Sequence, residues 1–284
     1  KWLVQRIHKH RFEEHEILDQ CPVCRQGLPE SCFVPELKRC SSCKMYFRSP
    51  RPTQDEIRRF YDTGSSYRDW AVQETIRRTL FERRLERLQR HARKGRLLDV
   101  STGDGHFLQV AAEAGFVVQG TEFSHYAARM CQKRGFAVHV DAIEELDFGA
   151  ERFDVITLWH VLEHSPFPGE LLRRVHSLLE VDGVLAVAVP NEAPHLIPWL
   201  RKCEQRHPLS ILEWGMEVHL IHFQPATFQQ SLRAAGFKIL EFGVDDVATS
   251  PTWCTPFLHG FHEMLGRLTG WHGSTAMVAV VHKL

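Results

Sequence analysis

The segment Arg96–Leu108 constrains the fold more than any other part of this chain. It opens with the apolar residues Leu97, Leu98 and Val100, a run long enough for one buried parallel strand. A turn that contains glycines follows, and apolar residues then recur at helical spacing. A strand, a tight turn and a helix in this order present unpaired helix N-terminal amides to a polar ligand, so the segment predicts a ligand site.

The residues of this turn indicate which ligand it would accept. A dinucleotide fingerprint has a third glycine where this chain has Leu108, and Asp99 would repel a pyrophosphate. Glu122 ends the next apolar run, where an acid can accept hydrogen bonds from both hydroxyls of a ribose. Asp99 and Glu122, with Gly103 and Gly105 between them, therefore predict a nucleoside pocket without a phosphate cradle.

The chain resembles the class I S-adenosylmethionine-dependent methyltransferases in five motifs that occur in order. The first motif of that family is acid-x-Gly-x-Gly-x-Gly, and here it reads Asp99-Val-Ser-Thr-Gly-Asp-Gly105, with Ser101 in place of the first glycine. The other motifs are Glu122, the pair Asp141-Ala142, and the segments 153–164 and 182–191. The alternative is a Rossmann-like domain that binds another nucleotide, because a fold alone does not fix a function.

The resemblance implies S-adenosylmethionine as cofactor and a doubly wound α/β fold. The expected sheet is seven-stranded, Rossmann-like and mostly parallel, with its last two strands antiparallel. The cofactor contacts that the resemblance implies are Tyr67, Asp99, Ser101, Thr102, Gly103, Gly105, Glu122, Phe123, Asp141, Ala142, Trp159 and His160.

Apolar runs that alternate with helical periods predict the course of the sheet. Strands are expected near residues 97–100, 117–121, 137–140, 153–159, 184–189, 237–242 and 277–281. Helices are expected near residues 54–61, 71–94, 105–114, 124–134, 169–180 and 225–235. This alternation puts a ligand at the carboxyl ends of the parallel strands.

Four cysteines near the start of the chain have the spacing of a structural zinc site. Cys21, Cys24, Cys40 and Cys43 form two Cys-x2-Cys knuckles separated by fifteen residues. Four thiolates would complete a tetrahedral zinc site with no open position for catalysis, so the metal is expected to hold a small N-terminal module together. Disulfides are an alternative that a reducing compartment disfavours, and a redox pair would need only one knuckle.

This module resembles the zinc-ribbon front end of some small-molecule methyltransferases, including sugar-tailoring ones. The resemblance rests on both knuckles, on Pro50-Arg-Pro52 and on Phe60-Tyr61. The segment 191–224 is too long for a simple turn and predicts a lid over the substrate. The expected organisation is an arm at 1–20, the zinc module at 21–62, a linker and long helix at 63–95, and the methyltransferase domain at 96–284.

Ionisable residues near the strand ends are the candidates for proton transfer. His160, Glu163 and His164 follow a predicted strand and are expected on one helical face. His219, at the end of the predicted lid, is the candidate general base. The alternatives are that these side chains brace loops through hydrogen bonds, or that all four hold a divalent ion, since imidazole and carboxylate ligands suit such metals.

A comparison with sugar C-methyltransferases bears on His219. In the proteins of that kind that this chain resembles, an adjacent Glu–His pair serves the step that abstracts a proton. Here Val218 separates Glu217 from His219, so the pair is interrupted. The sequence therefore leaves open whether His219 is a base or forms a hydrogen bond between lid and core.

The charge distribution bears on partners. The net charge is zero, yet residues 1–96 carry 22 Lys and Arg against 13 Asp and Glu. This basic half could contact RNA, or the seven arginines of the predicted 71–94 helix could form its solvated face, which is the favoured interpretation. No apolar run is long enough to span a membrane, and a cytoplasmic location is the default expectation.

The leading functional hypothesis is S-adenosylmethionine-dependent O- or C-methylation of a small molecule, such as a sugar nucleotide or a natural product. Within enzymes, the alternative is an RNA methyltransferase. The Asn/Asp-Pro-Pro-Tyr/Phe motif that similar base-amino methyltransferases carry after the fourth strand is absent here. The alternative outside enzymes is a catalytically idle protein that binds a nucleotide or a partner.

Overall fold

The computed structural model describes residues 12–32, 36–64, 67, 74–192, 218–245 and 276–284. The helices are α1 (Gln54–Asp62), α2 (Glu74–Gln89), α3 (His106–Glu113), α4 (His125–Lys133), α5 (Pro168–Leu178) and α6 (Pro225–Ala234). The strands are β1 (His15–Glu16), β2 (Pro29–Ser31), β3 (Leu37–Cys40), β4 (Tyr46–Arg48), β5 (Arg51–Pro52), β6 (Arg96–Val100), β7 (Val117–Glu122), β8 (Val138–Val140), β9 (Phe153–Trp159), β10 (Leu179–Pro190), β11 (Ile221–His222), β12 (Phe237–Val244) and β13 (Ala276–Lys283).

A mixed sheet of seven strands forms the centre of the molecule, in the order β12-β13-β10-β9-β6-β7-β8. The five strands from β10 to β8 in this row pair in parallel. Strand β13 is antiparallel to both of its neighbours, β10 and β12. The prediction of a doubly wound, mostly parallel seven-stranded sheet is therefore confirmed.

Two apolar cores cover the two faces of this sheet. Leu97 on β6 belongs to one core, together with Leu88 of α2 and Leu108 of α3. Its neighbour Leu98 belongs to the other core, together with Leu172 of α5. Successive side chains of a strand point to opposite faces, so a strand that is buried on both faces reads as a continuous apolar run. This is why the short runs in the sequence located the strands.

Two arginines of α2 do not belong to the solvated face that the sequence suggested, whereas Arg83 is exposed as expected. Arg84 is 4% exposed, and its Nη2 lies 2.5 Å from Oδ2 of Asp245. Arg77 donates two hydrogen bonds to Asp104, at 2.7 and 2.9 Å. The interpretation as a solvated face is wrong for these two arginines, because acids of the methyltransferase domain neutralise them at the surface between α2 and the sheet.

The N-terminal module shares a small sheet with the methyltransferase domain. This second sheet has the order β11-β4-β3-β2, and β11 comes from a distant part of the chain. Ile221 pairs with Phe47, and His222 pairs with Tyr46, in antiparallel register. A strand of the predicted methyltransferase domain therefore completes the sheet of the predicted zinc module.

Two of the predicted segments lie wholly or partly outside the described ranges. For the arm, residues 1–11 are outside them, and for the lid, residues 193–217 are outside them. The domain boundaries stay a prediction. Over the ranges that the structure describes, none of the helices has the length and apolar character needed to cross a membrane.

Candidate functional site

A cavity of about 340 Å³ lies at the carboxyl ends of β6, β7, β8 and β9, as expected for an open α/β sheet. Ten predicted site residues line it: Tyr67, Ser101, Gly103, Glu122, Phe123, Asp141, Ala142, Trp159, His160 and His164. The other predicted cofactor and catalytic residues lie outside its lining: Asp99, Thr102, Gly105, Glu163 and His219.

Helix α1 and the loop after β9 supply lining residues that the sequence analysis did not assign to the site. Gln54, Ile57 and Tyr61 come from α1, and Pro166 comes from the loop. The available signal was the four-residue spacing of Ile57 and Tyr61, which puts both on one face of a helix. The predicted start of this helix at residue 54 agrees with the structure. The side chain of Thr53 caps the helix by accepting a hydrogen bond from the amide of Glu56.

The turn after β6 uses left-handed backbone at three positions. The φ angle is 55° at Ser101, 59° at Gly103 and 78° at Gly105. A non-glycine residue in this region costs roughly 1 kcal/mol, which explains why similar proteins have glycine where this chain has Ser101. A Cβ on Gly105 would lie 2.5 Å from Sγ of Cys131, so α4 packs against bare backbone here.

Glu122 ends β7, and its carboxylate spans the turn. Oε2 accepts a hydrogen bond from Gly103 N at 2.7 Å, and Oε1 accepts one from Ser124 N at 2.9 Å. Burial raises the pKa of Glu122 to about 7, although these backbone donors favour the ionised form. Because the side chain lines the cavity, its oxygens can also accept hydrogen bonds from hydroxyls of a ligand.

Asp99 lies behind the turn. Thr157 Oγ1 donates a hydrogen bond to Asp99 Oδ1 at 2.5 Å, which joins β6 to β9. Burial raises the pKa of Asp99 to about 7. This placement favours a supporting role for Asp99 over direct contact with a ligand.

His160 follows β9 directly and lies between two carboxylates. Its Nδ1 is 3.2 Å from Oε1 of Glu163, and its Nε2 is 3.7 Å from Oδ2 of Asp245. Burial favours the neutral ring, but the two acids outweigh burial and raise the pKa of His160 to about 9. His160 is therefore a cation at neutral pH and does not accept a proton there. Asp245, at the end of β12, was missed by the sequence analysis.

Residues 160–164 form a turn, so the prediction that three of them share a helical face is wrong. The physical reason is the backbone of His160, whose φ of 59° is left-handed and cannot continue into a right-handed helix. Strained backbone of this kind clusters at functional sites. The turn directs His160 and His164 to the cavity wall while Glu163 stays buried behind them.

His164 lines the cavity with one ring nitrogen available as an acceptor. Its Nδ1 is 2.8 Å from the carbonyl oxygen of Val218, so Nδ1 carries the hydrogen and Nε2 has the lone pair. Nε2 lies 3.9 Å from Oε1 of Glu163. Burial lowers the pKa of His164 to about 4, which keeps the ring neutral at physiological pH.

Glu192 orients the two histidines near β11. Its Oε1 is 3.1 Å from Nδ1 of His219, and its Oε2 contacts Nδ1 of His222. Although burial opposes ionisation, both imidazoles hold the pKa of Glu192 well below its usual range. The rings of His219 and His164 pack edge to face, 4.8 Å apart. Sequence reasoning missed Glu192; its place just after a strand end was the signal.

The cluster next to the cavity can perform two kinds of chemistry. Glu163, His164 and His219 present ligand atoms within 4.8 Å of one another, a set that suits a divalent ion. Oε2 of Glu163 is buried without a hydrogen-bond partner among the described residues. The same set can move a proton, because a neutral imidazole beside a carboxylate is a general base. The fourth predicted ion ligand, His160, has both nitrogens directed at acids.

The four predicted zinc ligands converge in the N-terminal module. Cys21 Sγ is 3.7 Å from Cys43 Sγ, and Cys24 Sγ is 3.6 Å from Cys40 Sγ. Four sulfurs bound to one zinc at about 2.3 Å would lie about 3.8 Å apart, so the donor set fits zinc. The sulfurs are too far apart for disulfides, whose bond is about 2.05 Å long. The amides of Ser42 and Cys43 point at Cys40 Sγ, both at 3.3 Å.

Comparisons with known proteins agree with this geometry. The methyltransferase domain family matches residues 72–241, which is more than half of the chain. A ubiquinone biosynthesis O-methyltransferase of Haemophilus ducreyi is 33% identical over 166 residues, covering 46% of this chain and 70% of the relative. A protein of the same description from Actinobacillus pleuropneumoniae serotype 5b is 33% identical over 107 residues, covering 34% of this chain and 46% of the relative, so the chain spans less than half of that protein.

A solved structure shares the fold. Magnesium protoporphyrin IX methyltransferase from Synechocystis PCC 6803, with bound S-adenosylhomocysteine, aligns with a TM-score of 0.58 at 13% identity. The alignment covers 82% of this chain and all of the other. At this identity the likeness concerns the fold alone. The family match, the relatives and the sheet topology lead to one conclusion: this chain belongs to the class I S-adenosylmethionine-dependent methyltransferases.

Proposed function

We propose that this enzyme methylates a hydroxyl group of a small-molecule acceptor. Two relatives are O-methyltransferases of ubiquinone biosynthesis, which supports a hydroxyl over an acidic carbon. An acidic carbon of a sugar nucleotide or natural product is the second acceptor class. Methyl transfer to a neutral hydroxyl requires that its proton leave, so the acceptor class calls for a base at the cavity.

The residues at the strand ends fit the cofactor. S-adenosylmethionine supplies an electrophilic methyl group on a sulfonium, which has a good leaving group. We assign Glu122 to the ribose hydroxyls, because its carboxylate lines the cavity at the end of β7. Phe123 and Asp141 flank Glu122 and are assigned to the nucleobase, and the turn at 101–105 is assigned to the methionine portion.

The observation that carries the proposal is that Nε2 of His164 has no hydrogen-bond partner among the described residues, while the ring lines the cavity. We propose that this nitrogen takes the proton of the acceptor hydroxyl, and that Glu163 stabilises the imidazolium that forms. His219, which Glu192 orients, packs edge to face against the His164 ring and is not part of the cavity lining. In this proposal His219 supports His164, and His160 keeps Glu163 ionised.

Calorimetric titration tests the cofactor assignment. We expect micromolar binding of S-adenosylmethionine and S-adenosylhomocysteine, no comparable binding of NAD, and loss of binding in Glu122→Ala. Silence toward the first two, or a preference for NAD, contradicts it and favours a protein that binds another nucleotide or a partner.

The base is tested with radiolabelled S-adenosylmethionine and a panel of hydroxylated acceptors. His164→Gln is expected to lower kcat by about 10²- to 10⁴-fold while the affinity for S-adenosylhomocysteine stays within threefold. His139→Gln is the matched control, since His139 lies outside the cavity lining. Full activity of His164→Gln contradicts the assignment. Activity that depends on added Mg²⁺ or Mn²⁺ while the zinc content of the protein is unchanged favours the ion-binding alternative.

An RNA acceptor is less compatible with the observed charges. Arg77 and Arg84, two of the seven arginines of the predicted 71–94 helix in the basic half, are paired with Asp104 and Asp245. Neutralised cations release few counterions from a phosphate backbone and contribute little affinity. Salt-dependent binding of mixed RNA oligonucleotides at submicromolar concentration would favour the RNA alternative.

We also propose that the four clustered cysteines bind one structural zinc ion. The metal would stabilise a module whose own apolar core is small. Metal analysis of the purified protein is expected to give one zinc per chain, with loss of that zinc when Cys21 and Cys43 are both changed to serine. A chain that folds normally without metal contradicts the proposal.

A further inference from the structure

The buried guanidinium of Arg51 is a feature that the proposed chemistry leaves unexplained. Arg51 lies on β5, in the N-terminal module, and its side chain is 1% exposed. Its Nε donates to Oε1 of Glu16 at 2.7 Å, and that glutamate is 43% exposed. Removing a cation from water costs several kcal/mol, which one half-exposed carboxylate offsets only in part. A cost of this size points to a geometric role for the side chain.

Two further contacts of the Arg51 side chain lie on the loop between β9 and α5, residues 160–167. Its Nη1 donates a hydrogen bond to the carbonyl oxygen of Pro166 at 2.8 Å. Its guanidinium carbon also lies 5.2 Å from the centroid of the Phe167 ring, within the range of a cation–π contact. This loop carries Glu163 and His164, and Pro166 lines the cavity. A single buried side chain thus joins the N-terminal module to the segment that bears the candidate base.

The same loop is also held by Leu220 and by Ile221 of β11. The carbonyl oxygen of Glu163 accepts hydrogen bonds from Leu220 N at 2.8 Å and from Ile221 N at 3.1 Å. Leu220 in turn accepts a hydrogen bond from Arg48 N of β4 at 2.9 Å. The N-terminal module is therefore connected to the loop in two ways. Arg51 contacts the loop directly, and β4 contacts it indirectly through Leu220 and β11.

We propose that Arg51 is a positioning residue for methyl transfer. It touches neither cofactor nor acceptor in this proposal, and it fixes the 160–167 loop so that the His164 ring faces the cavity with Glu163 behind it. The inference rests on the proposed role of His164. In this inference the N-terminal module contributes to the active site by fixing the position of the loop that bears the proposed base.

Two substitutions and a matched control test this proposal. Arg51→Met removes the charge and the hydrogen bonds at similar length, and Arg51→Lys keeps the charge but cannot reach Glu16 and Pro166 together. Arg25→Met is the control: Arg25 lies 3.9 Å from the centroid of the same Phe167 ring and pairs with Glu170, but both of these charged side chains are about 40% exposed.

Hydrogen exchange is the main readout, because it does not depend on activity. Arg51→Met is expected to speed exchange at the amides of Leu220 and Ile221 at least tenfold and to lower kcat at least tenfold. The affinity of Arg51→Met for S-adenosylhomocysteine should stay within threefold of that of the unsubstituted protein. The exchange rates and kcat of Arg51→Lys should lie between those of Arg51→Met and the unsubstituted protein. Arg25→Met should change neither exchange nor kcat.

Unchanged exchange at the 160–167 loop and at β11 in Arg51→Met overturns the proposal, whatever the activity. Lost protection with full kcat also overturns it, since the loop would then not matter for transfer. If no acceptor is methylated at all, the proposed function fails while exchange still decides the role of Arg51. If Arg51→Met does not fold, the same criteria apply to Arg51→Lys.

Discussion

The sharpest quantitative prediction concerns the substitution Glu122→Gln. The pKa of this buried carboxyl is raised from 4.5 to about 7 by burial. Between these two values the folded protein holds a proton that the unfolded chain has lost, so Glu122 contributes stability at low pH that disappears as pH rises toward 7. From pH 5 to pH 8 this contribution falls by about 2.5 kcal/mol. Glutamine does not titrate, so the variant lacks this dependence.

Absolute stabilities are a poorer guide than their pH dependence. The carboxylate accepts from Gly103 N and Ser124 N, and a glutamine would direct an amino group at one of these donors. That mismatch shifts the variant by a constant at every pH. The free energy of unfolding should therefore be measured in urea at pH 5, 6, 7 and 8, and the difference between the two proteins should change by about 2.5 kcal/mol across the series.

Cofactor binding supplies the second half of this test. Ribose hydroxyls donate to an ionised carboxylate, so S-adenosylhomocysteine should bind the unsubstituted protein about 10- to 100-fold more tightly at pH 8 than at pH 5. Glu122→Gln should lose that dependence and bind roughly 10- to 100-fold more weakly at pH 8. Glu180→Gln changes an exposed carboxylate and serves as the control. A stability difference that is constant from pH 5 to pH 8 would refute the reasoning.

Three further predictions follow from the structure. Asp245→Asn leaves the buried Arg84 cation without its partner and should cost about 3–5 kcal/mol in urea unfolding; a loss below 1 kcal/mol contradicts the pairing. Gly105→Ala should destabilise more than Gly149→Ala, because both positions have positive φ but only the first would bring a Cβ to 2.5 Å from Cys131 Sγ. Zinc removal by a chelator should lower the melting temperature by roughly 10 °C or more, and an unchanged melting curve contradicts a structural metal.

The parts of the fold that the sequence predicted are those with local signals. The run at 153–159 is apolar and bounded by polar residues, and it is β9 with the same limits. The clustering of the four sulfurs was likewise predictable from the cysteine spacing, because each Cys-x2-Cys knuckle is formed by residues close together in the chain. Glu122 was found because a strand end followed by a turn is itself a local pattern.

The features that the sequence analysis could not predict are contacts between residues far apart in the chain. A helical period tells which residues of α2 share a face, but it does not tell which acid packs against Arg84, and Asp245 is 161 residues away in the chain. The sequence named only the interrupted neighbour Glu217, which lies outside the described residues, as an acid near His219, whereas the structure pairs His219 with Glu192. Tertiary packing determines both of these partners, and no local sequence pattern indicates which residues they are.

Arg84 of α2 is linked through its partner Asp245 to His160 at the cavity. Arg84 neutralises Asp245, and Asp245 together with Glu163 makes His160 a cation. That cation in turn holds the pKa of Glu163 below its ordinary value, although burial opposes ionisation. A charged Glu163 is what an imidazolium at His164 requires, because a protonated acid could not stabilise it. In the proposed mechanism, side chains of alternating charge therefore connect Arg84 of α2 to His164, and the pairing of Arg84 with Asp245 would support the electrostatics of methyl transfer.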